Sequence, residues 1–237
     1  MSSQGSDRNL TQTQLSDMNS TNRTQSSVAV VTISHSLKIT LLGDSSVGKT
    51  SLITKYCEKT FNPKGTNPTI NVEIKEKTIK IDAFTEAKLS IWDTAGAEQY
   101  LSFTKGYLRE SNGIIIVFDF TNEKSFNNLD TWINLINADI EEGKAEKILV
   151  GNKSDLPDAK ISVDMAQEYA GVHGMKFISV SAKDGVNIDY LFEVLANDCV
   201  KKLKESDEKE KNKEKEEKIS VKVDNIKKEK KSKGKCC

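Results

Sequence analysis

One eight-residue stretch limits the possible folds of this chain more than any other. Residues 43–50 read GDSSVGKT and match the pattern G-x-x-x-x-G-K-[ST] at every fixed position. The apolar run 37–42 before it predicts a buried strand, and residues 49–58 predict a helix that starts inside it. In this setting backbone N–H groups and the positive end of a helix dipole face one point, which suits a phosphate group. The alternative is a chance match in a glycine turn.

The side chains and backbone of this loop predict a phosphate and metal site. Lys49 would reach the outer phosphates, and the Thr50 hydroxyl would be a ligand of Mg²⁺. The predicted phosphate-binding residues are Ser45, Ser46, Val47, Gly48, Lys49 and Thr50.

Composition divides the 237 residues into three parts. Residues 1–27 hold 18 Ser, Thr, Asn or Gln, and such a segment cannot bury enough apolar surface to fold, so we expect residues 1–35 to be a disordered extension. Residues 36–203 carry the apolar patterns of one folded domain. Residues 204–237 form a charged tail, either coil or partly helical through i,i+4 Glu/Lys pairs.

Charge and targeting features exclude several classes of protein. The net charge is zero, so bulk charge gives no reason to expect nucleic-acid binding. The longest strongly apolar run, 114–118, is too short to span a bilayer, and the start of the chain resembles neither a secretory signal nor a myristoylation site. We therefore expect a protein made in the cytosol, with Cys57 and Cys199 as reduced core thiols.

Apolar runs and helical patterns alternate through the middle of the chain. This alternation predicts an α/β fold with a mostly parallel six-stranded sheet, helices on both faces, and the ligand site at the carboxyl ends of the strands. The alternating segment 70–81 predicts a half-exposed edge or hairpin strand. The other predicted strands are 37–42, 87–92, 113–119, 147–151 and 176–180, and the predicted helices are 49–58, 98–110, 124–141, 162–172 and 187–203.

Three further motifs follow predicted strands. In WDTAG (92–96), Asp93 at a strand end can hold Mg²⁺ through a water, and the Gly96 N–H can meet a γ-phosphate. In NKSD (152–155), the Asp155 carboxylate can accept two N–H groups of guanine, a donor pair that adenine lacks. SAK (181–183) can place a backbone N–H on guanine O6. The predicted guanine-binding residues are Asn152, Lys153, Asp155, Ser181, Ala182 and Lys183.

GDSSVGKT, WDTAG, NKSD and SAK, in this order, resemble the Ras-like small GTPases over about residues 36–200, and within them the Rab family. The segments 89–100 and 105–133 and the terminal Cys-Cys carry the resemblance to Rab proteins. It implies a P-loop NTPase fold of the Ras-like G-domain type. It also implies that Phe61 packs on guanine and that Thr69 is a switch I threonine that binds Mg²⁺ beside the γ-phosphate. Residues 59–72 and 94–108 would be the two switches.

The sequence departs from the family where catalysis is concerned. The family usually has glutamine after DTAG, where it orients the attacking water, and here that position is Ala97. A methyl group cannot position water, so we assign no catalytic residue and expect slow intrinsic hydrolysis. Gln99 is a weaker candidate for this role, because helix onset would point it elsewhere. Activating proteins of the Rab type can insert both an arginine and a glutamine, so a partner could supply the missing group.

The resemblance also suggests partner surfaces and a lipid anchor. Trp92 and Tyr107 match exposed aromatic positions that Rab effectors contact, and Ile74 replaces a phenylalanine usual in the effector-facing strand. Simple core packing is the alternative role for Trp92. Cys236 and Cys237 match the double-cysteine ending that Rab proteins use for two geranylgeranyl groups. The six lysines between residues 227 and 235 would add attraction to an anionic membrane.

The predicted function is that of a Rab-like GTPase, which cycles between GTP and GDP with bound Mg²⁺ and recruits effectors in vesicle trafficking. The implied partners are an exchange factor, a GTPase-activating protein, an escort or GDP-dissociation-inhibitor type of chaperone, effectors, and a membrane through prenyl groups. The expected location is the cytoplasmic face of intracellular membranes, with a cytosolic pool. The alternative is a membrane-anchored scaffold that is constitutively GTP-bound. An ATPase or nucleotide kinase conflicts with NKSD.

Overall fold

The computed structural model describes residues 33–65, 69, 72–94 and 106–233, and of residues 210, 211 and 213–233 the backbone alone. The strands are β1 (Ile33–Leu42), β2 (Glu73–Lys80), β3 (Thr85–Asp93), β4 (Gly113–Asp119), β5 (Glu146–Asn152) and β6 (Lys176–Ser179). The helices are α1 (Lys49–Glu58), α2 (Glu123–Asn127), α3 (Leu129–Asp139), α4 (Val163–Val172) and α5 (Ile188–Lys233).

The six strands form one sheet in the order β2-β3-β1-β4-β5-β6. Neighbouring strands run parallel, except that β2 lies antiparallel to β3 at the edge. Along β2 the side chains alternate between exposed and half-buried, as the sequence pattern of an edge strand predicts. The predicted fold class, a mostly parallel sheet with helices on both faces, is confirmed.

The central strand β4 shows why helices cover both faces of the sheet. All seven of its residues are buried, and successive side chains point to opposite faces. Ile115 and Val117 join a cluster with α1 and α5, whereas Ile114 and Ile116 join a cluster with α3 and α4. A polar side chain at any of positions 114–118 would therefore lie in one of the two cores.

Two helices differ from their predicted bounds. The segment predicted as one helix over 124–141 is divided at Asn128 into α2 and α3. Helix α5, predicted to end at 203, continues to Lys233. Of the helix predicted over 98–110, residues 106–108 form a helical turn and residues 98–105 lie outside the described part of the chain.

The carboxyl ends of the parallel strands bring together the loops that carry the sequence motifs. β1 leads into residues 43–48, β3 ends at Asp93, β5 ends at Asn152, and β6 is followed by Ser181. Among the described residues, the helices are all too short or too polar to cross a bilayer.

Candidate nucleotide-binding site

The loop between β1 and α1 depends on two glycines. Gly43 has φ of +138°, and a Cβ built on it would lie 2.2 Å from the Val117 carbonyl oxygen of β4. Gly48 has φ of +99° and is the N-cap of α1. Ser46 also has a positive φ, +64°, although it carries a side chain. These conformations favour glycine, and they turn the loop over the start of the helix.

Lys49 reaches back across this loop. Its ammonium group donates to the carbonyl oxygens of Gly43, at 2.6 Å, and Asp44, at 2.9 Å. The residue is only 6% exposed, and burial lowers its pKa to about 8 although the charges of Asp93 and Asp44 oppose that shift. Within the described part of the chain its hydrogen-bond partners are carbonyl oxygens, and a buried ammonium bound in this way strongly attracts an anion.

The N-terminus of α1 adds to this attraction. The first turn of the helix holds no acidic residue, and Gly48 has no side chain to cap the free N–H groups. The partial positive charge of these groups is therefore open to a ligand. Ser45 and Ser46 are exposed at the rim of the loop, while Val47 is fully buried beneath it.

Three side chains that carry oxygen atoms meet at Thr50, in the first turn of α1. The Thr50 hydroxyl donates to Asp93 Oδ2 at 2.6 Å and lies 3.0 Å from the Thr69 hydroxyl. Thr50 comes from α1, Asp93 from the end of β3 and Thr69 from the loop before β2. The structure thus brings together all three predicted metal ligands.

The chemistry of this group fits Mg²⁺. Asp93 is 3% exposed, and its Oδ1 has no hydrogen-bond partner among the described residues. Burial raises the pKa of this carboxyl, although the Thr50 hydrogen bond and the charge of Lys49 partly offset the shift. An unpartnered carboxylate oxygen beside two hydroxyls is the hard oxygen donor set that Mg²⁺ prefers.

A cavity of about 320 Å³ lies beside the loop, between the ends of β5 and β6 and the segment after α1. Its volume is that of a small ligand pocket. Phe61 supplies an aromatic face, and the other lining residues include Asn152, Lys153, Asp155, Ala182 and Lys183. The residues that the sequence assigns to guanine therefore line one cavity, except Ser181, which is fully buried.

Asp155 is held at the wall of this cavity. Ser181 donates to Asp155 Oδ1 at 2.7 Å, and the Lys183 ammonium lies 3.5 Å from Oδ2. Burial works to raise the pKa of Asp155, but the Ser181 hydrogen bond, its own backbone N–H and Lys183 outweigh it and leave the pKa below its usual value. Asp155 is thus an ionised acceptor near neutral pH.

Asn152 joins the phosphate loop to the base cavity. Its Nδ2 donates to the Val47 carbonyl oxygen at 2.8 Å, and its Oδ1 accepts the Ala182 N–H at 3.1 Å. The side chain is buried, so both bonds are shielded from water. Asn152 therefore connects the phosphate loop, through Val47, to the loop after β6, through the backbone N–H of Ala182.

Sequence reasoning missed two carboxylates. Asp119, at the carboxyl end of β4, accepts a hydrogen bond from Lys153 Nζ at 2.6 Å and so fixes a wall of the base cavity. Asp44, inside the phosphate loop, accepts bonds from Asn128 and Trp132. The position of Asp119 at a strand end was a usable signal. The sequence offers no comparable signal for the partners of Asp44.

Two of the predicted effector-facing residues, Ile74 and Trp92, lie next to Asp93 at the carboxyl end of β3. Ile74 is 48% exposed and is paired in register with Trp92. The Trp92 ring is half-buried, 5.7 Å from the Tyr107 ring, and the Lys38 ammonium lies 4.3 Å from its centroid. Trp92 is therefore neither a full core residue nor a free surface one.

Several predicted residues lie outside the described part of the chain. They are Gly96, Ala97 and Gln99, which follow β3 in the sequence, and the predicted lipidation pair Cys236 and Cys237. Their roles remain predictions from the sequence.

Comparison with known proteins agrees with this site. Residues 38–201 match the model of the Ras family. Ras-related protein Rab-13 of Mesocricetus auratus is 40% identical over 169 residues, which cover 71% of this chain and 82% of that protein. Ras-related protein RABE1d of Arabidopsis thaliana is 38% identical over 175 residues, 73% of this chain and 80% of that protein.

A third relative, Ras-related protein Rab-8B of Bos taurus, is 39% identical over 173 residues, covering 73% of this chain and 82% of the relative. The range matched by the family model, 38–201, includes the phosphate loop, the metal group and the base cavity described above. GTP binding and GTPase activity are general properties of this family, with Mg²⁺ as the general metal. The chain belongs to the Rab family of Ras-like small GTPases.

Proposed function

We propose that the protein is a slow GTP-hydrolysing switch that acts on intracellular membranes in vesicle traffic. The observation that carries this proposal is the base cavity with an ionised Asp155, next to the loop that presents Lys49 and the α1 N-terminus. The cavity suits guanine and the loop suits its phosphates.

In the proposed binding mode, each part of the site has a separate task. Asp155 accepts the two N–H groups of guanine, and Phe61 packs on the ring. Lys49 and the N–H groups of residues 45–50 hold the phosphates. Thr50, Thr69 and Asp93 hold Mg²⁺, which neutralises phosphate charge when bound. The Gly96 N–H meets the γ-phosphate.

The chain itself provides little for the hydrolytic step. Ala97 stands where the family usually carries glutamine, and alanine has no polar group to orient a water molecule. Residues that bind only the phosphates can lower the barrier to hydrolysis, but they do not position the attacking water. Intrinsic turnover should therefore be slow, and an activating protein would supply the orienting group.

Single-turnover hydrolysis tests this proposal. With GTP bound to the wild-type protein, the measured rate should rise when a Rab-type activating protein is added. An Ala97→Gln variant should hydrolyse GTP about 10- to 100-fold faster than wild type without a partner, because the water is then oriented. An unchanged rate in Ala97→Gln would contradict the assigned role of this position.

The second candidate function is a constitutively GTP-bound scaffold, and Ala97 is the feature that favours it. Such a protein would bind effectors whenever it is delivered to a membrane. Failure of every Rab-type activating protein to accelerate hydrolysis would favour the scaffold over the switch.

The guanine assignment has its own test. Asp155→Asn replaces a carboxylate acceptor by an amide, so affinity for GTP should fall and affinity for XTP should rise, because xanthine presents an acceptor where guanine has its amino group. Equal GTP preference in wild type and variant would mean that Asp155 does not read the base.

We also propose that Cys236 and Cys237 carry two geranylgeranyl groups and that the protein divides between the cytoplasmic face of a membrane and the cytosol. Two lipid chains give stable anchoring where one gives marginal binding. The proposed partners are an exchange factor, an activating protein, an escort or GDP-dissociation-inhibitor type of chaperone, and effectors that contact Ile74, Trp92 and Tyr107. A variant without both cysteines should remain in the soluble fraction after cell fractionation.

A further inference from the structure

Asp44 carries a negative charge inside the loop that we propose to hold the negatively charged phosphates. Both of its carboxylate oxygens accept hydrogen bonds from side chains at the start of α3. Trp132 Nε1 donates to Oδ1 and Asn128 Nδ2 donates to Oδ2, each at 2.8 Å. The backbone oxygen of the same residue accepts a hydrogen bond from Lys49.

The two donors come from one fixed element. Asn128 lies at the junction of α2 and α3, and Trp132 lies one helical turn further along α3. Positions four residues apart face the same side of a helix, so both donors point at the loop. Trp132 is 1% exposed and packs in the core cluster of that face. Its N–H direction is therefore set by core packing.

Asn128 is used in an unusual way. It is the N-cap residue of α3, where an asparagine side chain commonly accepts a bond from the first turn of the helix. Here it makes no such cap and donates to Asp44 instead. The helix thus begins without a side-chain cap, and the Asn128 side chain binds the phosphate loop instead.

We propose that Asn128 and Trp132 are positioning residues of the nucleotide site, which hold the Asp44 carboxylate toward α3 so that Lys49 stays available to the phosphates. This inference rests on the proposed binding of GTP and GDP.

The physical reason is competition for Lys49. The charge of Asp44 already acts on the Lys49 ammonium, which it favours in its protonated form. A carboxylate released by Asn128 and Trp132 would seek another donor, and Lys49 already contacts the same residue. An ion pair between the two would neutralise the ammonium that has to bind phosphate.

Equilibrium and kinetic measurements with a fluorescent GDP analogue and Mg²⁺ test the proposal. Trp132→Phe keeps a large apolar side chain but removes the N–H, and Asn128→Ala removes the other donor. Each variant should raise the dissociation constant about tenfold, mainly through faster release. Asn128→Ala alone carries the test where Trp132→Phe fails to fold.

Tyr169→Phe is the matched control. The Tyr169 hydroxyl donates to Asp130 Oδ1 at 2.6 Å, so this variant also removes one hydrogen bond to α3, but one that does not involve the loop. GDP affinity should change less than twofold. A loss equal to that of Trp132→Phe would mean that general weakening of α3 explains the effect, and would overturn the proposal.

A double-mutant cycle separates positioning from packing. In an Asp44→Ala background there is no carboxylate to restrain, so adding Trp132→Phe should alter GDP affinity less than twofold. A persistent tenfold loss would overturn the proposal. Failure of the wild-type protein to bind GDP would instead overturn the proposed function, so the two failures are distinguishable.

Discussion

Gly48 offers a sharp test of how the phosphate loop is built. A Cβ at this position would lie 2.3 Å from Asn152 Nδ2, and the residue has φ of +99°. Asn152 is the buried side chain that donates to Val47 and accepts from Ala182. Gly48→Ala therefore strains the backbone and displaces the residue that joins the two halves of the site.

The expected loss of stability follows from these two effects. A left-handed conformation costs a residue with a Cβ about 1–2 kcal/mol. Displacing Asn152 leaves buried polar groups without partners, which costs about 1–3 kcal/mol. We expect Gly48→Ala to lower the free energy of unfolding by about 3–4 kcal/mol, a fall in Tm of about 10 °C for a domain of this size.

Two other glycines serve as controls in the same urea titration, in EDTA and without nucleotide. Gly143 has φ of +75° but no atom within 4 Å of a built Cβ, so Gly143→Ala should lose only about 1 kcal/mol of backbone strain. Gly171 lies in α4, and no atom lies within 4 Å of a Cβ built on it, so Gly171→Ala should raise the free energy of unfolding by about 0.5–1 kcal/mol. The reasoning is refuted if Gly48→Ala and Gly143→Ala lose the same amount.

Three further predictions concern single side chains. Asp119→Asn removes the charge that holds Lys153, and it should lower the free energy of unfolding by about 1–2 kcal/mol. It should also weaken binding of a fluorescent GDP analogue, and unchanged GDP affinity would contradict the role of Asp119 in the cavity wall. Ser46→Gly should raise unfolding free energy by about 0.5 kcal/mol in the same titration, because φ of +64° strains serine; a loss would contradict that strain. Burial raises the pKa of the Cys199 thiol to about 12, so this thiol loses its proton more easily in the unfolded chain than in the folded one. The free energy of unfolding should therefore fall as pH rises above about 9. Between about pH 8 and 9.5 this fall should be less steep in Cys199→Ala, which has no thiol.

The sheet could be predicted from sequence because its signals are local. Five apolar residues in a row at 114–118 indicate a strand buried on both faces, and the alternation over 70–81 indicates an edge strand. The meeting of the motifs at one edge of the sheet was also predictable, since GDSSVGKT and NKSD each lie within a few residues of a strand end.

The contacts between motifs were not predictable, because they join positions far apart in the chain. Asp44 and Trp132 are 88 residues apart, and Asp119 and Lys153 are 34 apart. The break at Asn128 has the same origin. Its local sequence is compatible with a continuous helix, and the structure instead uses its side chain for a bond to the phosphate loop. Long-range partners decide these features, and one sequence does not reveal them.

The length of α5 was not predicted, for a different reason. Its buried face ends near Val200 and Leu203, and amphipathic periodicity, which predicts packing, predicts nothing beyond that point. Lys and Glu are strong helix formers, and pairs such as Lys204/Glu208 and Glu205/Lys209 each add about 0.2–0.5 kcal/mol, so the helix continues without a core. About 30 residues of helix span about 45 Å, against about 30 Å on average for a flexible coil of equal length. With the proposed lipid anchor just beyond its end, this helix would hold the nucleotide site at a more defined distance from the membrane than a coil would.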